Sequence, residues 1–274
     1  MIDGHVHVWR IGRDGCTWPR PDLAGIYRDF GLDDLRREEG APEGVVLIQS
    51  QEDEADTEML LGFADDPAVL AIVGWTDLEA PDAAAAVTSL AREPKLRGLR
   101  PMVQDRDDLY YDRPRLEAGL RAMADHGLVL DALVRPRHLP ALARLALRFP
   151  ELDIVVDHGA KPDFHRLEPW ARAMRRVAAL PNISCKLSGL LTELPAGAAH
   201  DAVRPVIDLL WEMFGPERLI WGSDWPVLNL AGLYGEWRAL AARLLPSAHH
   251  DAVFDGNARS IYRMADAPAS RRLI

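Results

Sequence analysis

Cysteine is nearly absent from this chain of 274 residues: only Cys16 and Cys185 occur. Two distant thiols cannot make a disulfide framework or a paired-cysteine metal site, so both read as free thiols in a reducing compartment. Long apolar runs are missing as well. No stretch approaches the roughly 18 consecutive apolar residues of a membrane span. The chain opens directly on Met-Ile-Asp-Gly-His, without the basic segment and apolar core of a secretory signal. Cytoplasmic placement and no contact with membranes are the expectations that follow. An excess of positive charge is also lacking. The formal net charge is −10, which argues against a nucleic-acid partner, because binding phosphates demands a basic patch. No linker, low-complexity tract or shift of composition marks a second domain, so residues 1–274 read as one domain.

What the sequence does have is alternation. Short runs rich in Val, Ile and Leu recur at Ile2–Val8, Val45–Ser50, Val69–Trp75, Leu96–Val103, Leu128–Val134, Asp153–His158, Ile183–Ser188 and Leu219–Asp224. Each has the length of a strand. Amphipathic stretches with helical spacing lie between them, as in Arg137–Arg148, where Leu139, Leu142, Leu145 and Ala146 share one stripe. Eight apolar strands alternating with helices predict a parallel sheet covered on its outer face, closed most simply as a single (β/α)8 TIM barrel of the α/β class. The longest irregular stretch, Arg10–Asp29, follows the first strand and is expected to cap the barrel mouth.

Barrel enzymes work at the C-terminal ends of their strands, so polar residues at strand ends are the candidates. In Asp3-Gly-His5-Val-His7 the two histidines are two apart and share a face. Paired imidazoles suit a divalent metal or an oxyanion. The sixth run ends in Asp157-His158, of which His158 is expected to face the mouth and Asp157 to make a supporting hydrogen bond, with Lys161 just beyond. The eighth ends in Asp224 between Trp221 and Trp225. Burial against indole rings would raise the pKa of that carboxyl and nearby cations would lower it; a general base is the natural use. Arg100, Asp131 and Lys186 in the fourth, fifth and seventh runs, with Lys161, Trp75 and Trp225, are candidate substrate-binding residues, although Arg100 and Lys186 could as easily form ion pairs between strands. Gln49, Gln51, Glu52 and Asp77 could bind hydroxyls, and Trp9, Trp18, Trp75 and Trp225 could stack on a sugar face or simply pack around the barrel mouth.

Taken together, Asp-x-His-x-His at the start, LVRPRHLPALARLALRFPELDIVVDHGAKPDF, ISCKLSGLLTE and LIWGSDWPV resemble the metal-dependent-hydrolase-type barrels of the amidohydrolase superfamily. Within it they are similar to the lactonase branch, which includes hydrolases of L-fuconolactone, L-rhamnonolactone and galactonolactone and the 2-pyrone-4,6-dicarboxylate lactonase. The resemblance spans nearly the whole chain. It implies opening of a sugar lactone, with His5, His7 and His158 around the carbonyl or a metal and Asp224 activating water. The same four residues would be the ligands of one divalent ion, zinc first, although the branch also has members that work without metal. Binuclear members of the superfamily carry a bridging Lys or Glu on the fourth strand and a His on the fifth. Here those strands offer Arg100 and Asp131, which argues against a binuclear site. A metal-dependent decarboxylase and a lactone isomerase are the alternative activities, and a homo-oligomer is compatible with the pattern.

Overall fold

A computed structural model describes residues 1–264. Eight parallel strands follow one another in chain order around a single sheet: β1 (Ile2–Val6), β2 (Gly44–Ile48), β3 (Val69–Gly74), β4 (Leu96–Leu99), β5 (Val129–Ala132), β6 (Ile154–Val156), β7 (Ile183–Leu187) and β8 (Leu219–Trp221). Each is shorter than its predicted run and falls within it, except that β2 begins one residue earlier, at Gly44; the run's polar end bends away into a loop. The ring closes where Asp224 donates its backbone N–H to the His5 carbonyl at 2.9 Å and His7 donates to the Trp225 carbonyl at 2.8 Å. The chain therefore folds as a (β/α)8 barrel. The closing bonds are made by the site residues themselves, so site and closure are one construction.

The outer layer holds α1 (Leu32–Leu35), α2 (Glu54–Leu61), α3 (Ala83–Leu90), α4 (Glu117–Asp125), α5 (Leu139–Arg148), α6 (Leu167–Ala178), α7 (Arg204–Phe214), α8 (Tyr234–Leu244) and α9 (Asn257–Ile261). In α5 the predicted stripe of Leu139, Leu142, Leu145 and Ala146 is the buried face; each such leucine contributes about 1.5–3 kcal/mol by leaving water. The chain enters α9 through a π-helical turn over Ala252–Gly256. Among the described residues no helix is long and apolar enough to cross a membrane.

Two apolar clusters sort the strands by face. Val6 and Val8 pack outward under the helices, whereas Ile2 joins Val46, Ile48, Val73, Val129, Val155 and Ile220 inside the barrel, closed from below by Ala258 and Tyr262 near the chain's end. In an uninterrupted strand Ile2 and Val6 would share a face. The pairing of β1 with β2 shifts between Asp3 and Val6, and such a bulge re-aims the residues beyond it. Ile2 can thus fill the lower lumen while His5 and His7 occupy its upper end.

Candidate active site

His5 and His7 end β1, His158 follows β6 and Asp224 follows β8, and the four converge. His5 Nε2 lies 3.2 Å from His7 Nε2. Asp224 Oδ1 is 3.3 Å from His7 Nε2, 3.7 Å from His5 Nε2 and 3.9 Å from His158 Nε2. All four side chains are nearly out of solvent. His7, His158 and Asp224 form the floor of a cavity of about 560 Å³ that opens at the C-terminal ends of the strands.

Two of these residues hold unusual backbone. His158, Gly159, Ala160 and Lys161 have φ of 53°, 56°, 61° and 50°, and Asp224 has φ 61°. Left-handed backbone costs a non-glycine residue roughly 1–2 kcal/mol, and it persists only where surrounding structure over-determines it. The determinants are visible. Trp170 of α6 donates its indole N–H to the Gly159 carbonyl at 2.7 Å, and Lys161 N–H closes the turn on the His158 carbonyl. On the other side, the buried Asp3 carboxylate accepts from His5 N–H (3.1 Å), Ser223 N–H (2.8 Å) and the Tyr234 hydroxyl (3.0 Å). It ties the ends of β1 and β8 together, and burial pushes its pKa up to about 6. Gly189, at φ +60°, leaves room for both partners: a Cβ there would lie 2.5 Å from His158 Nδ1 and 3.1 Å from Asp224 Oδ2.

The outward nitrogens of the histidines fix what the inward ones present. His7 Nδ1 faces the Ile48 carbonyl at 2.8 Å, so Nδ1 carries the proton and Nε2 turns a lone pair inward. His158 Nδ1 meets the Ser188 hydroxyl at 2.9 Å. Burial lowers the pKa of all three imidazoles: His158 to about 4, His7 against the opposing pull of the Asp224 carboxylate, and His5 well down, with Lys186 adding to the effect. For Asp224 burial pushes upward, but the surrounding His158, His7 and His5 outweigh it, and the carboxyl ends below its ordinary value. At neutral pH the cluster is three uncharged imidazoles and one carboxylate. Acceptor atoms then face one another across 3.2–3.9 Å, an arrangement that calls for a cation between them. A tetrahedral ion with bonds of about 2.0–2.1 Å sets its ligands about 3.3 Å apart, and the ligand atoms of His5, His7 and Asp224, all within 4.8 Å of one another, fit one divalent metal ion, with His158 Nε2 3.9 Å from Asp224 Oδ1.

A second set of charges lies beneath the histidines. Lys186 Nζ is 2.5 Å from Asp131 Oδ2, 3.2 Å from Asp157 Oδ1 and 3.2 Å from His5 Nδ1, and Tyr262 donates to Asp131 from below. Arg100 reaches Asp157 Oδ2 and His5 Nε2, each at 3.3 Å, and its other amino group is held by the Gln49 backbone and side chain. Asp157 supports His5, with Oδ1 3.4 Å from His5 Nδ1.

Several expectations need correction here. Lys186 and Asp131 were candidate substrate-binding residues, but both are fully buried. They lie inside β7 and β5 and not at the strand ends, and they pair with each other beneath the site. Trp225 is also fully buried, with its indole N–H on Glu38 and its ring edge-on to Phe30. Trp75 and Asp77 line a neighbouring cavity that shares only Glu52 with this one. Gln49 is spent on Arg100. Arg100, Lys161, Gln51 and Glu52 do line the cavity. The sequence reading assigned no role to Asp3, Ser188 or Gly189. Asp3 stands in the Asp-x-His-x-His motif, which was the available signal; Ser188 and Gly189 follow β7, whose end was not treated as part of the site.

A family model described as amidohydrolase matches residues 2–264. The chain belongs to the amidohydrolase family. This amidohydrolase is 47% identical over 283 residues to an L-fucono-1,5-lactonase of Burkholderia ambifaria, covering 98% of this chain and 97% of that one. It is 34% identical to an L-fucono-1,5-lactonase of Burkholderia multivorans, covering 99% and 98%. Among solved structures it superimposes with TM-score 0.89 and 33% identity on an amidohydrolase from Burkholderia multivorans with bound zinc, covering 96% and 99%.

Proposed function

We propose that this amidohydrolase opens a sugar lactone, with L-fucono-1,5-lactone the first substrate to try, by attack of water on the ring carbonyl, and that the chain acts as one catalytic domain. The observation that carries the reading is the convergence of three imidazole nitrogens on the Asp224 carboxylate at the floor of an open cavity. Similarity to two named L-fucono-1,5-lactonases over nearly the full length supports it.

Asp224 takes a proton from water as the water oxygen bonds to the lactone carbonyl carbon. Its depressed pKa keeps it ionised throughout the neutral range, so it accepts the proton as a weak base. Negative charge moves to the carbonyl oxygen. Arg100, its guanidinium at the cavity floor, can donate to that oxygen. The bond from the carbonyl carbon to the ring oxygen then breaks, and Asp224 returns the proton to the departing alkoxide. The open acid ionises in solution and releases a proton. His5, His7, His158 and Asp224 would hold a zinc ion, which when bound supplies Lewis-acid polarisation of the carbonyl. Lys161, tied to Glu193 at 3.1 Å on the cavity wall, is placed to meet a substrate hydroxyl or the product carboxylate.

The test is proton release from a panel of aldonolactones, run on protein of measured zinc content, with and without a chelator. Acid release from six-membered sugar lactones is the expected result. Silence across the panel in both metal states sinks the reading. Release of CO2 from hydroxybenzoates would replace it with a decarboxylase, and a rearranged lactone by NMR with an isomerase.

A further inference from the structure

Four tryptophans were candidates for stacking on a sugar, and the fold separates them. Trp9 and Trp225 are fully buried, and Trp75 faces the neighbouring cavity. Trp18 alone of the four lines the cavity above His7, His158 and Asp224. It belongs to the irregular segment after β1, whose base is fastened by reciprocal backbone bonds between Trp9 and Phe30, each 3.0 Å. Its indole rests edge-on against Trp9, with ring centres 5.5 Å apart.

One side chain fixes the far end of that segment. Gln51, from the end of β2, is only 3% exposed. Its Oε1 accepts from Thr17 N–H (3.0 Å), the Thr17 hydroxyl (3.3 Å) and Trp18 N–H (3.2 Å). Its Nε2 donates to the Trp18 carbonyl (2.7 Å) and to Ser50 Oγ (3.0 Å). Both faces of the Trp18 peptide are thus read by one amide. Gly15 (φ +70°) lets the segment approach closely, since a Cβ there would come within 2.4 Å of the Asp53 carboxylate.

We propose that Trp18 is the wall against which the C–H face of a pyranose-type lactone ring stacks, and that Gln51 is the positioning residue that holds it there. The proposal rests on the lactone reading. An indole gives a large flat apolar surface with few rotors to freeze, and a buried amide with every donor and acceptor engaged fixes a loop at one register. Neither group reaches the Asp224–histidine cluster, so the pair governs capture of the ring and not the chemistry at its carbonyl.

The experiment is steady-state kinetics on L-fucono-1,5-lactone and on γ-butyrolactone, which has no sugar face, with folding checked by thermal unfolding. Trp18→Ala should raise KM for the sugar lactone about tenfold or more and leave kcat within about threefold, the signature of lost uniform binding. Trp18→Phe should recover most of the loss. Constants for γ-butyrolactone should stay near wild type. Gln51→Ala should reproduce the KM effect, and Gln51→Glu, which keeps the acceptors and loses the donor to Trp18, should fall between. The double variant Gln51→Ala/Trp18→Ala should match Trp18→Ala alone, because one residue acts through the other. Unchanged KM in Trp18→Ala, equal effects on both lactones, or multiplying effects in the double variant overturn the proposal. A wild-type protein inert on both lactones would instead remove the lactone reading, and this assignment with it.

Discussion

Two polar layers lie one above the other inside the barrel, and they handle burial differently. In the lower layer Asp131 and Asp157 meet Lys186 and Arg100, carboxylate against cation at 2.5–3.3 Å. In the upper layer His5, His7, His158 and Asp224 crowd acceptor against acceptor, and the nearest cations belong to the layer below. Both layers are withdrawn from water, so solvation does not separate them. Pairing does. The lower layer is paired charge against charge and acts as a floor, through which Arg100 alone also reaches the cavity. The upper layer is left electrostatically incomplete, which is the condition a metal ion, a water or a substrate carbonyl can satisfy. Polar groups inside a barrel are therefore not all alike as functional candidates; the ones that lack an internal partner are the better ones.

The sharpest way to break this comparison is to remove one carboxylate from the upper layer. Asp224→Asn should lower kcat by about 10³-fold or more if Asp224 is the base, while the melting temperature stays near wild type. Near-normal turnover would end that assignment. The lower layer should respond in the opposite sense. Lys186→Met leaves Asp131 and Asp157 short of a counter-charge and should cost about 3–5 kcal/mol of stability, measured by urea unfolding. Adding Asp131→Leu should return part of the loss, because a matched apolar pair replaces a broken ionic one. If Lys186→Met instead kept full stability and lost only substrate affinity, the division into floor and site would be wrong. Third in size is Gly189→Ala, whose methyl would press on His158 and Asp224 together. We expect a fall in kcat/KM on the order of 10–100-fold, about 1.4–2.7 kcal/mol, with a smaller change in unfolding free energy.

Much of the barrel was legible from periodicity alone. All eight apolar runs became strands in order, because buried parallel strands have to be apolar on both faces. The convergence of His5, His7, His158 and Asp224 was legible too, since strand ends in a closed barrel all meet at one mouth. What escaped was depth. Lys186 and Asp131 read as strand-end residues, yet they sit one layer down, and in strands of four or five residues a single step decides between mouth and interior. Facing was the second obstacle. Trp225 lies beside Asp224 in sequence but turns outward to Glu38, and the left-handed backbone at Asp224 and His158 that sets such directions is signalled in sequence only by the general enrichment of Asp, Asn and His there. The third was contact between distant loops. Nothing local in Gln51 announces that it holds Thr17 and Trp18.

Asp56 belongs to neither layer and tests the rule from a third position. It is a buried carboxylate of α2 that accepts from Ser50 N–H at 2.8 Å and Gln51 N–H at 3.4 Å. Burial raises its pKa from 3.8 to about 6 against those bonds and the more distant Arg100. A raised carboxyl pKa means that the folded chain holds its proton more tightly than the unfolded chain. The associated stability is complete below pH 3.8 and drains away as pH rises through about 6. Asp56→Asn removes the titration and keeps an acceptor for the backbone. The unfolding free energy of wild type minus that of the variant should therefore fall by about 1 kcal/mol between pH 5 and pH 7, the smallest of these effects, with contributions from other groups cancelling in the difference. A flat difference across that interval would mean that two backbone N–H groups fully offset the burial of a carboxylate, and the pairing of charges would lose its place as what separates floor from site.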